Sequence, residues 1–96
     1  MIGYRKIKVG KCYVEAIRFP LGTKTLVAIR GRRGYIMCGY LNMKVACDFG
    51  EAAVKISGVA TINDALRTKV SSLTPKAKKL GIYKNQPIKD VLKIIA

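Results

Sequence analysis

The stretch TLVAIRGRRGYIMCGYL, Thr25 to Leu41, decides how this chain folds. Leu26, Val27, Ala28 and Ile29 form one continuous apolar run and Tyr35 to Leu41 a second, each flanked by glycine and too short for a helix. Such short runs read as strands buried on both faces, the centre of a sheet. Between them, Arg30-Gly31-Arg32-Arg33-Gly34 has the composition of an exposed tight loop. Upstream, alternating apolar and β-branched residues mark strands at Tyr4 to Val9 and Cys12 to Phe19, with Gly10-Lys11 as the turn. Pro20-Leu21-Gly22 is a second turn signal. The expected product is a four-stranded, mainly antiparallel meander.

Downstream the period changes. Val45, Ala46, Phe49, Ala52, Ala53 and Ile56 trace one helix face, with Asn42 as N-cap and Gly58 just past the end. Thr61 with Asp64 resembles a capping arrangement for a short helix through Ala65 and Leu66, and Lys69 to Leu73 reads as an added strand. Thr74-Pro75 opens another helix that Gly81 stops. Pro87 opens the last, with Ile88, Val91, Leu92 and Ile95 on one face. Strands in the first half and helices in the second predict an α+β fold, the helices packed on one face of the sheet. At 96 residues the chain is read as a single domain, 1–96. Its folded surface should be roughly 5,400 Å² by mass scaling.

Composition excludes more than it assigns. Without histidine, Ser-His-Asp and Cys-His catalysis and His-ligated zinc are removed together. The carboxylates are Glu15, Asp48, Glu51, Asp64 and Asp90, too few and too dispersed for paired-acid chemistry or a hard-metal cage. Cys12, Cys38 and Cys47 are odd in number and lack zinc spacing, which fits a reducing compartment, the cytoplasm. No apolar run approaches a membrane span, and charges interrupt MIGYRKIKV where a signal peptide would be apolar. No cofactor or metal is implied, and an enzyme is the less favoured class. The 19 Lys and Arg against 5 Asp and Glu give +14, a charge that draws polyanions without specifying a fold.

The segment PLGTKTLVAIRGRRGYIMCGYLN, Pro20 to Asn42, resembles the signature of a small archaeal and bacterial family catalogued only as a domain of unknown function. The likeness continues more loosely through Val45 to Ser57 and GVATINDALRTKV, Gly58 to Val70. Gly34-Tyr35, Cys38-Gly39 and Leu41-Asn42 are its most distinctive part. The resemblance implies a compact α+β domain and carries no catalytic residue.

Four features invite a functional reading. Cys38 is a candidate nucleophile if Arg30, Arg32 and Arg33 lie across the hairpin and favour its thiolate; as a strand cysteine it equally serves as a small core hydrophobe. Lys24 with Arg30, Arg32 and Arg33 forms a candidate site for a small anionic ligand, glycine backbone donors assisting, although Gly22-Thr23-Lys24-Thr25 precedes a strand and is no Walker loop. A solvated hairpin tip accounts for the same residues. Asn42, at the strand-to-helix junction, either presents its amide to that ligand or simply caps. The dispersed lysines, with Tyr35, Tyr40 or Tyr83 for stacking, leave unspecific nucleic-acid binding as an alternative, without any recognisable nucleic-acid module. Two apolar central strands and the apolar helix from Ile88 to Ile95 exceed what one small core covers, so a homo-oligomer is expected.

Overall fold

Alternation along the first strands sorts their side chains onto two faces. In β2 (Cys12–Leu21), Val14 and Ala16 are completely buried, as are Val27 and Ile29 in β3 (Lys24–Arg30), while the residues between them point the other way. β1 (Gly3–Val9) pairs antiparallel with β2, from Gly3 opposite Arg18 to Val9 opposite Cys12. β2 pairs antiparallel with β3, from Glu15 opposite Arg30 to Leu21 opposite Lys24. Both expected hairpins form, but the second turn is Gly22-Thr23, and Pro20 and Leu21 prolong the strand. Proline is tolerated there because β2 has already run past the end of β1.

The computed structural model describes residues 2–96, and among them six strands form one mixed sheet with four small helices. The four-stranded antiparallel expectation is therefore corrected. β4 (Tyr35–Met37) pairs antiparallel with β3, Ile29 opposite Ile36, and is three residues long because the chain turns at Cys38, where Leu41 N–H bonds the Cys38 carbonyl at 3.0 Å. Asn42 caps α1 (Met43–Asp48) through its side-chain oxygen, 3.2 Å from Val45 N. The helix expected to reach Gly58 ends instead at Asp48, and Gly50 just beyond it, with a φ of 68°, forms a left-handed stop; Gly50 N–H bonds the Cys47 carbonyl and Glu51 N–H that of Ala46. The chain then enters β5 (Ala53–Lys55), parallel to β4 with Ile36 opposite Val54, and β6 (Ser72–Leu73) closes the order β1-β2-β3-β4-β5-β6 antiparallel to β5.

Three helices cover one face. From α2 (Ile62–Arg67), α3 (Pro75–Lys79) and α4 (Ile88–Ile95), the residues Ile62, Ala65, Ala77, Ile88, Val91, Leu92 and Ile95 join the main core with Val14, Val27, Ile29, Ile36 and Val54. The one-face expectation fails for α1. Ala46 with Leu41 and Ala53 makes a second, smaller core on the opposite face, against Tyr35 and Met37. The caps read at Thr61 and Thr74 are both made, their hydroxyls accepting from Asp64 N and Ala77 N.

The arginine loop is not a free tip. Gly31 packs so closely on the end of α4 that a Cβ there would overlap the Ile95 carbonyl, and Arg33 N–H bonds that same oxygen at 2.9 Å. Gly31 N–H bonds the Gly34 carbonyl and Tyr35 N–H that of Ala52. No described helix is long and apolar enough to cross a membrane.

Candidate ligand-binding site

Among the described residues the parallel pair is β4 and β5, and their carboxyl ends lie side by side. The chain leaves β4 through Cys38, Gly39 and Tyr40 toward α1 on one face, and leaves β5 through Ser57 to Ala60 toward α2 on the other. Loops that diverge to opposite faces open a crevice at the strand ends. A hollow of about 490 Å³ lies there, lined by both loops and, from the β2–β3 turn, by Thr23, Lys24 and Thr25.

Its walls are held from behind. The Ala60 peptide is fixed on both sides: Arg18 Nε donates to its carbonyl at 3.0 Å, and its N–H donates to Asp64 Oδ2 at 3.2 Å. That bond is the main reason the Asp64 carboxyl lies below its ordinary value of 3.8. Cys38 forms the floor. It is buried, accepts from Val27 N–H at 3.4 Å and lies 3.8 Å from the Thr25 carbonyl. Ser57 shares a hydrogen bond with Ser71 at 3.2 Å. The residues that line the hollow thus include one lysine, two threonines, a serine and a tyrosine, with Val59 and Ala60 as apolar members.

A second hollow, about 470 Å³, opens on the sheet face away from the main core, over Ile17, Ala28 and Met37 with Tyr4, Glu15, Arg30 and Tyr35 around it. Its polar groups satisfy each other. Glu15 accepts from Arg30 Nη2 at 2.5 Å and from Tyr4 Oη at 2.8 Å, which holds its carboxyl below the ordinary range and raises the Tyr4 phenol. Tyr35 Oη donates to Glu51 at 2.7 Å; burial first, and this bond second, push its pKa up to about 12.

The residues singled out in the sequence are thus divided. Lys24 and Cys38 line the first hollow, and Arg30 lines the second. Arg32 Nη2 reaches Cys12 Sγ at 3.2 Å, Arg33 is tied by its backbone to Ile95, and Asn42 caps α1. The arginines do not lie across from Cys38: it pairs with Val27, three residues or about 10 Å along β3 from Arg30. The loop's backbone donors at Gly31, Arg33 and Tyr35 are engaged, so they offer no cradle for an anion. Ser57 to Ala60 were missed because their place depends on β5, which the helical reading had absorbed. No cluster of three or more potential metal ligands occurs among the described residues.

Residues 37–95 match the family model described as Domain of unknown function (DUF1805). The chain belongs to this family. The match takes in Cys38-Gly39, Leu41-Asn42 and the second half as far as Ile95, and starts two residues after Gly34-Tyr35, at Met37. The DUF1805 chain is also similar to a crystal structure of a protein of unknown function, TA1206 from Thermoplasma acidophilum, at 33% identity and a TM-score of 0.95, over 100% of this chain and 94% of that one. No curated protein matches. Neither likeness carries an assigned activity, so function must be argued from the DUF1805 fold itself.

Proposed function

We propose that the protein is a small-ligand-binding module whose site is the hollow at the carboxyl ends of β4 and β5. The observation that carries this reading is the divergence of the two loops to opposite faces, which leaves a crevice at the position where open sheets with parallel strands bind their ligands. Its volume of about 490 Å³ suits a small molecule. One cation, Lys24, with the hydroxyls of Thr23, Thr25 and Ser57, matches a single negative charge, and Val59 and Ala60 match a short apolar tail. The ligand class is a small aliphatic carboxylate.

Thermal unfolding at fixed ionic strength with a series of short-chain carboxylates tests this. Butyrate at a hundred times its dissociation constant should stabilise the fold by about 2.7 kcal/mol. Lys24→Gln should abolish the effect and Arg32→Gln should retain it. A series that leaves the wild-type midpoint unchanged, or a Lys24→Gln variant that responds like wild type, rejects the reading.

A further inference from the structure

Residues 65–89 carry seven Lys and Arg and no Asp or Glu, half of the net +14 in 25 of the 96 residues. The fold sets four of these lysines around one aromatic side chain. Tyr83 opens a turn in which Gln86 N–H bonds the Tyr83 carbonyl at 3.2 Å, with Asn85 at a φ of 70° in its third position. The turn is clamped from behind. Buried Gln86 accepts from Tyr83 N–H through Oε1 at 3.2 Å; Val70 N–H donates to the Gln86 carbonyl at 3.0 Å, and the Val70 carbonyl accepts from Asn85 N–H at 2.9 Å. Gly81 N–H bonds the Lys78 carbonyl and Ile82 N–H that of Ala77, which seats the turn against the end of α3. Tyr83 is thus fixed by its backbone and by Gln86 yet remains 57% exposed. Lys84 follows it in the turn, Lys69 pairs with Pro87 just beyond, and Lys78 and Lys79 end α3; all four are exposed. We propose that this surface, Tyr83 with Lys69, Lys78, Lys79 and Lys84, binds single-stranded nucleic acid without regard to sequence.

Charge and the ring together name the partner. Like charges collected without a carboxylate repel one another, and a polyanion relieves that repulsion. Lys78 and Lys79 also suit the negative end of α3, but Lys69 and Lys84 lie outside any helix, so a helix dipole does not account for them. The ring then selects among polyanions. A duplex keeps its bases stacked inside, whereas a single strand offers them to an aromatic side chain, and such a stack accepts any base. Of the other tyrosines suited by sequence to stacking, Tyr35 is bonded to Glu51 and Tyr40 lines the first hollow, so Tyr83 is the one set among these lysines. An anionic membrane would call for several apolar side chains beside the cations. Among the described residues from Gly50 onward, Tyr83 is the only exposed large apolar side chain.

Fluorescence anisotropy of a labelled oligothymidylate, and of a duplex of equal length, titrated with the full chain over a salt series tests the proposal. The single strand should bind more tightly than the duplex, and four phosphate contacts should give a slope of log affinity against log salt of about −3. Tyr83→Ala should weaken binding by at least about fivefold with its circular dichroism unchanged, and Tyr83→Phe, which keeps a ring to stack, should bind as wild type. Lys84→Gln should make the slope shallower by about 0.7. Lys24→Gln, the same charge change at the first hollow, should bind the oligonucleotide as wild type does, so loss of carboxylate binding and loss of strand binding are separable. No binding at low salt, tighter binding of the duplex, a Tyr83→Ala variant that binds like wild type, or equal losses in Lys24→Gln and Lys84→Gln overturns the proposal. Polyaspartate that displaces the strand at equal charge concentration also overturns it and assigns the surface to an acidic protein.

Discussion

Gly31→Ala is expected to be among the most costly single-methyl additions to this fold. A Cβ at residue 31 would overlap the carbonyl carbon and oxygen of Ile95, which are backbone atoms and cannot swing away as a side-chain tip would. Relief requires the loop to part from the end of α4, which breaks the 2.9 Å bond from Arg33 N–H to the Ile95 carbonyl and loosens Ile95, a fully buried residue. Losing that backbone bond costs about 1 kcal/mol. Forcing an extra methyl into a close-packed contact costs about 1–3 kcal/mol. The expected loss is therefore about 2–4 kcal/mol, a large share of the roughly 5–14 kcal/mol that holds a domain of this size. Urea unfolding followed by circular dichroism measures it, as a lower midpoint at unchanged slope. Gly34→Ala should behave similarly, since its Cβ would come within 2.5 Å of the Ala52 carbonyl. Gly39→Ala, with nothing within 4 Å, should change stability by less than about 0.5 kcal/mol. If Gly31→Ala and Gly39→Ala unfold at the same midpoint, the docking of the arginine loop on α4 is refuted.

Two further outcomes follow from single side chains. The buried Thr74 hydroxyl accepts from Ala53 N–H at 3.0 Å and donates to the Glu51 carbonyl at 2.7 Å, while capping α3; Thr74→Val should cost about 2–3 kcal/mol in urea unfolding by leaving a buried donor unpaired. Thr74→Ser should retain most of that. Tyr35 titrates near 12 in the fold against an ordinary 10.0, so its contribution is complete below pH 10 and is lost as pH rises toward 12. Unfolding midpoints compared across that window should fall more steeply for wild type than for Tyr35→Phe; parallel slopes would show that burial and Glu51 do not hold the phenol neutral.

Local signals made much of the fold legible. The Gly10-Lys11 turn, the caps at Asn42, Thr61 and Thr74, and the buried face of α4 depend on neighbours within a few residues, and each stands where its chemistry placed it. The six-strand order was not legible, for a specific reason. Ala52 and Ile56 satisfy a helical period and a strand period alike, and only the stop at Gly50 separates the two. Missing that stop hid β5, and with β5 the parallel pair and the crevice beside it. The arginine loop failed differently: its composition is that of a solvent-exposed turn, but the two glycines are there for close backbone contact with Ile95 and Ala52, a long-range relation that no short window of sequence contains. Lys24 and Cys38 were found, yet grouped with arginines at the opposite end of β3.

Amide chemical-shift mapping of the full chain titrated with butyrate at constant ionic strength tests the central claim most directly. The account predicts saturable shifts confined to Thr23–Thr25, Cys38–Tyr40 and Ser57–Ala60, absent in Lys24→Gln. Shifts centred on Arg30 to Tyr35, or spread over the lysines without saturation, would contradict it.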